Sequence, residues 1–243
     1  MMKHIMKVVV ILCLMTLVSS CSTKYLTSFG PSAKSMLFNE MTSAGEIADY
    51  GYIDKRNTIE YSDSVTALAG YALERMLETE PESMMKCKWY MNEPMPEEIV
   101  GDVNRIADYI WQQNQDISGG MWMSGATKEF ISRSETKYVM FILSSGFTRR
   151  AGNYAGQVAK NVGLGIATAL LTGCAYYNTP IKYRTDMTIL IIDKETCEVV
   201  YFNRNGIESD PTDMNSHYNV YMNCVNYFSR AIEALKKKES KNK

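Results

Sequence analysis

Two sets of residues in this sequence have types and spacing that could support covalent chemistry: the thiol of Cys21 and the side chains around His217. His217 and His4 are the two histidines of the chain. A nucleophilic triad would need His217 beside a hydroxyl or thiol and a carboxylate. Asp210 and Asp213 are its sequence neighbours, but Asp just ahead of a helix is by default a cap. Ser144-Ser145-Gly146 lacks the Gly-x-Ser-x-Gly elbow that exposes a nucleophilic serine. No catalytic residue is assigned. Cys87, Cys174, Cys197 and Cys224 form no Cys-x-x-Cys pair and no histidine-linked spacing, so neither a metal nor a cofactor is expected. Gly152 to Gly156 and Gly163 to Gly165 are followed by no Gly-Lys-Ser/Thr, which excludes a phosphate loop. Trp89, Trp111 and Trp122 suit a glycan groove, yet hydrolysis would need a carboxylate pair at a defined separation.

Cys21 carries the sharper chemistry. Lys3 and Lys7 precede an apolar run from Val8 to Leu17, and small residues follow. That order is a secretory signal peptide, too short to span a bilayer. Val18-Ser19-Ser20-Cys21 then resembles the bacterial lipobox, in which the cysteine thiol is acylated and becomes the mature amino terminus. Ser22 rather than Asp follows Cys21, which in the sorting pattern of such proteins directs the anchor to the outer membrane, with the periplasmic face expected. Removal of residues 1–20 leaves 223 of the 243 residues, a length for one domain. Near balance between 26 basic and 27 acidic residues argues against nucleic acid as a partner.

The elements that must hold any site follow from hydrophobic periodicity. Residues 21–35, rich in Ser and Thr, read as a tether, and 36–238 as a single α/β domain with a charged tail at 239–243. A strand is expected near Ser35 to Phe38. Val65, Leu68, Ala69, Ala72, Leu73 and Met76 make a helical face between Ser62 and Glu78. Lys86 to Met91 reads as a short strand. A second helix starts near Pro96, with Ile99, Val103, Ile106, Ala107 and Ile110 as its stripe, and Gly119-Gly120 breaks the pattern. Tyr138 to Phe147 is apolar on both faces, as a central strand is. Met187 to Ile192 and Glu198 to Arg204 flank Asp193 to Cys197 as a hairpin. A last helix after Pro211 carries Tyr218, Tyr221, Val225, Phe228, Ile232 and Leu235. The expected fold is α/β (α+β): a mixed sheet with three main helices packed on it and a Gly/Ala-rich helical insertion.

Lys137-Tyr138-Val139-Met140-Phe141 and the run from Met187 through Asp193-Lys194-Glu195-Thr196-Cys197 to Tyr201 resemble the α/β domain of the curli-secretion-channel lipoproteins and the amino-terminal domain of TolB, which share an anticodon-binding-like fold. In that superfamily the hairpin reads apolar strand, Asp, two variable residues, Thr-Gly, apolar strand. Cys197 stands here where the Gly is usual. The resemblance implies an accessory role in envelope assembly or export rather than catalysis.

One further segment stands out. No acidic residue occurs between Glu135 and Asp186, while Lys137, Arg149, Arg150, Lys160, Lys182 and Arg184 do. Within the insertion 150–177, Val158, Val162, Ile166 and Leu170 share a helical face beside small residues that include Gly163, Gly165 and Ala169. The default for such a stripe is a helix buried on the sheet. Its composition also suits contact with a membrane, a second copy or an envelope protein, through Arg149, Arg150, Lys160, Gly163, Gly165 and Ala169. The expectation drawn from all this is a lipid-anchored, non-enzymatic scaffold or export accessory; the other reading is a lipid-anchored surface hydrolase or glycan-binding protein.

Overall fold

The computed structural model describes residues 26–29, 41–53, 58–79, 87–89, 95–113, 117, 122–172 and 180–226. Cys21, the strand expected at 35–38, and Phe228, Ile232 and Leu235 lie outside them. In chain order the elements are β1 (Leu26–Phe29), β2 (Met41–Ile53), β3 (Ile59–Tyr61), α1 (Asp63–Thr79), β4 (Cys87–Trp89), α2 (Glu97–Gln112), α3 (Gly125–Ser132), β5 (Tyr138–Arg149), α4 (Asn153–Thr172), β6 (Tyr183–Asp193) and β7 (Glu198–Ile207). Helical residues 214–226 form α5. The α/β class expected from the sequence is what the chain adopts.

The strands make one mixed sheet in the order β1-β7-β6-β5-β2-β3, and β4 also pairs with β2. β2 and β5 are parallel from Met41↔Tyr138 to Ile53↔Arg149. The other long pairings, β5–β6 and β6–β7, are antiparallel. The expected hairpin is present, with Ile191 opposite Tyr201 and Ile192 opposite Val199. β1 falls inside the stretch read as tether and pairs antiparallel with β7, Leu26 opposite Arg204.

β5 and β6 lie inside the sheet and are apolar on both sides because both faces are covered. On one face Tyr138, Met140, Ile142, Met187, Ile189 and Ile191 pack with Leu73, Met76 and Leu77 of α1 and Val220, Tyr221 and Val225 of α5. On the other, Val139, Phe141, Leu143, Leu190, Ile192 and Phe202 meet Ile99, Val103, Ile106 and Ile110 of α2 and Ile131 of α3. Each such side chain is worth about 1.5–3 kcal/mol when fully buried, so these two apolar layers carry the fold.

α3 is a helix that periodicity does not announce. Ser124 caps it by accepting from the Thr127 N–H at 3.0 Å. The Ser124 N–H in turn donates to the buried Asp102 carboxylate of α2 at 2.9 Å, and Arg105 reaches both Asp102 and the Trp122 carbonyl. Burial opposes ionisation of Asp102, but the bonds from Thr127, Arg105 and Ser124 outweigh it and hold the carboxyl below its ordinary range.

The tight turn 194–197 between β6 and β7 closes with Cys197 at φ 56°. This is the left-handed region, which a residue with a side chain occupies at a cost.

Candidate functional site

The residues weighed for catalysis do meet, though 73 positions apart: Ser144 Oγ lies 3.3 Å from His217 Nδ1. Ser144 comes from the middle of β5, where a hydroxyl interrupts the apolar run, and His217 from the first turn of α5. Tyr50 of β2 completes the group, its phenol oxygen 2.8 Å from Ser144 Oγ and its ring edge-on to His217 at 6.3 Å. The far nitrogen of the histidine faces the Pro211 carbonyl at 2.8 Å. A carbonyl only accepts, so Nε2 carries the proton and Nδ1 is left as the acceptor. The single Ser144 proton then has two claimants, Nδ1 and the Asp186 carbonyl at 3.2 Å, and the Tyr50 phenol donates to Ser144.

This arrangement is a lock, not a charge relay. The histidine is oriented by a backbone carbonyl where general-base catalysis uses a carboxylate. Ser144 and His217 have no exposed surface and Tyr50 has 1%, so no substrate carbonyl can reach the hydroxyl. Burial, the dominant effect, pushes the His217 pKa down and the Tyr50 phenol up. Both stay neutral, as groups sealed in a core should. The lock ties β2, β5 and β6 to the start of α5.

Above this lock lies an open groove of about 730 Å³. Tyr52 is two positions beyond Tyr50 and Thr148 four beyond Ser144, so strand alternation places them on the same face. With Leu68, Arg149, Arg150, Tyr183, Asp210 and Thr212 they line it. Gly146 lies between, where a Cβ would stand 2.0 Å from the Arg184 carbonyl oxygen. The groove's charges are engaged internally. Arg150 pairs with Glu60 at 2.9 Å and lies 5.8 Å from the Tyr52 ring centre, and Asp210 accepts from Thr212.

Arg149 and Arg150, named from sequence as contact residues, therefore have work inside the domain. Arg149 donates to the Ile181 carbonyl at 2.6 Å and to Asn153 Oδ1 at 2.7 Å. It joins the two ends of the insertion at the point where α4 leaves the sheet. Beyond that neck α4 is open. Asn153 is buried, but Ala155, Gly156, Ala159 and Lys160 are exposed, and Val162 is 42% exposed. The default reading, a helix laid on the sheet, does not hold for this half. Both sheet faces are already occupied by α1 and α5 and by α2 and α3. Gly163, Gly165 and Ala169 continue the helix. Among the described residues no helix is long and apolar enough to cross a membrane, and no group of three or more His, Cys, Asp or Glu is placed to hold a metal ion.

A second surface was not foreseen as a unit. Trp122 is 71% and Trp111 43% exposed, with the Arg105 guanidinium 5.2 Å from the first ring and Arg204 5.2 Å from the second. The sequence signal was present in α2, where Arg105 and Trp111 flank the apolar stripe. Neither protein-family models nor curated proteins give a match to this chain.

Proposed function

We propose that this chain is a lipoprotein of the bacterial outer membrane, acylated on Cys21, whose α/β domain serves as a scaffold or accessory subunit in envelope assembly or export. The observation that carries the reading is the run from Lys3 to Cys21: basic start, apolar stretch, and Val18-Ser19-Ser20-Cys21. Acyl chains add about 0.8 kcal/mol per buried methylene, so a multiply acylated cysteine holds the domain at the bilayer. Two structural features support a role in contact. The Ser144–His217 pair is sealed and has a structural use, and the first half of α4 exposes Ala155, Ala159 and Val162.

The surface glycan-binding alternative has one observation in its favour, the exposed Trp111 and Trp122 rings beside Arg204 and Arg105. The anchor is tested by Cys21→Ser in cells fed labelled palmitate. The natural chain takes up label and fractionates with membranes. The variant should lose both. A variant that stays in the membrane fraction, or a natural chain that takes up no label, would overturn the lipoprotein reading.

A further inference from the structure

The two ends of the sheet differ in kind. At one end lie Arg149, the start of β6 at Tyr183, the close of β7 at Ile207 and the close of β2 at Ile53. At the other lie the start of β5 and the turn 194–197. β1 runs antiparallel to β7, so the chain enters it from the Arg149 end. Cys21 lies five residues before Leu26, a reach of at most ~18 Å. Through Arg204 and Thr188, Leu26 stands level with Leu143 on β5, six residues short of Arg149. Six strand residues measure ~20 Å. The two lengths are comparable, so the chain from Leu26 to Cys21 is long enough to reach the height at which α4 departs.

Exposed apolar groups gather at that same end. Ile59, opposite Ile53 on the edge strand, is 66% exposed, Leu68 in the groove wall is 55% exposed, and the α4 face adds Ala155, Ala159 and Val162. Lys160 and Lys182 are exposed beside them. Of the carboxylates at this end, Glu60 is paired with Arg150, Asp186 with Arg184, and Asp210 accepts from Thr212, while Glu208 is exposed just beyond Ile207 and acts electrostatically on Arg184. At the turn end Glu195 and Asp193 share Lys137, Glu198 is exposed, and no exposed apolar helix face is present among the described residues.

We infer that the Arg149 end of the sheet is the face laid on the bilayer, with α4 resting in the plane of an anionic phospholipid surface. The inference rests on the anchoring proposed above and adds an orientation to it. A helix not apolar enough to cross the membrane, exposing Ala155, Ala159 and Val162 with Lys160 among them, is suited to the headgroup boundary. The short reach from Cys21 brings that boundary to it.

The test uses the full-length protein in phosphatidylcholine vesicles with and without phosphatidylglycerol, the mass of Cys21 being measured on the same sample. A photoreactive benzophenone side chain is placed at Val162, at Ala159, or at Glu195 in the turn as the comparison. Lipid adducts should form at 162 and 159 several-fold above 195, and more with phosphatidylglycerol. Lys160→Glu should lower the yield on anionic vesicles about fivefold. Equal yields at 162 and 195 overturn the inference. Adducts at 162 to a second copy of the chain in place of lipid also overturn it and assign the face to self-association. If the mass shows unmodified Cys21, the anchoring reading fails; the orientation fails with it unless 162 still exceeds 195 in lipid adducts.

Discussion

Replacing His217 with glutamine should flatten the acid limb of the stability profile. His217 is fully buried, and burial lowers its pKa from the ordinary 6.5. In the folded protein it is neutral, donating through Nε2 to Pro211. In the unfolded chain it takes up a proton below about pH 6.5. The unfolded state therefore binds more protons in this window, and stability falls as pH drops from 6.5 toward the lower folded pKa. The limiting slope is ~1.4 kcal/mol per pH unit, and the loss by pH 5 is at most about 2 kcal/mol. Glutamine can keep an N–H near Pro211 while losing the acceptor for Ser144, at a roughly pH-independent cost of about 1–3 kcal/mol. Urea midpoints followed by circular dichroism between pH 7.5 and 5 give both numbers. The natural chain should lose stability across this range and His217→Gln should lose much less. Equal slopes in the two proteins would refute the claim that a neutral, sealed histidine locks α5 to the sheet.

Two further substitutions test the supports around the core. Cys197→Gly should raise the unfolding free energy by about 0.5–1 kcal/mol, because the left-handed residue costs ~1–2 kcal/mol with a side chain and glycine returns part of this as chain entropy; a lower urea midpoint would show that the thiol compensates for the strain. Asp102→Ala should cost about 2 kcal/mol at neutral pH, since a buried charge-assisted bond from the Ser124 N–H is lost. The depressed Asp102 pKa makes its contribution complete above the unfolded value of about 3.8 and lost as pH falls through the folded one, so natural chain and variant should converge in strong acid.

How legible these features were depended on whether the signal was local. α1, α2, β5 and the β6–β7 hairpin are written in apolar periodicity, because each buries a regular face against the core. β2 was missed. Its sequence, Met-Thr-Ser-Ala-Gly-Glu-Ile-Ala-Asp-Tyr-Gly-Tyr-Ile, has poor intrinsic strand preference, and its pairing with β5 decides its conformation. α3 follows the Gly119-Gly120 break and is fixed by Asp102, 22 residues before its cap. In the sequence Ser144 and His217 read as two separate residues, since nothing local in either segment points to the other. Arg149 read as a surface cation because residue type alone cannot reveal that Ile181 and Asn153 wait for its guanidinium.

The pairing of β1 with β7 also bears on the order of events as the chain matures. Leu26 finds its partner in Arg204, near the opposite end of the sequence. A chain emerging amino end first has β1 exposed long before β7 exists, and closing so long a loop is among the slower steps of assembly. Under the anchoring proposed at Cys21, the β1–β7 pairing ties the anchored end of the chain to the last-made of the described strands.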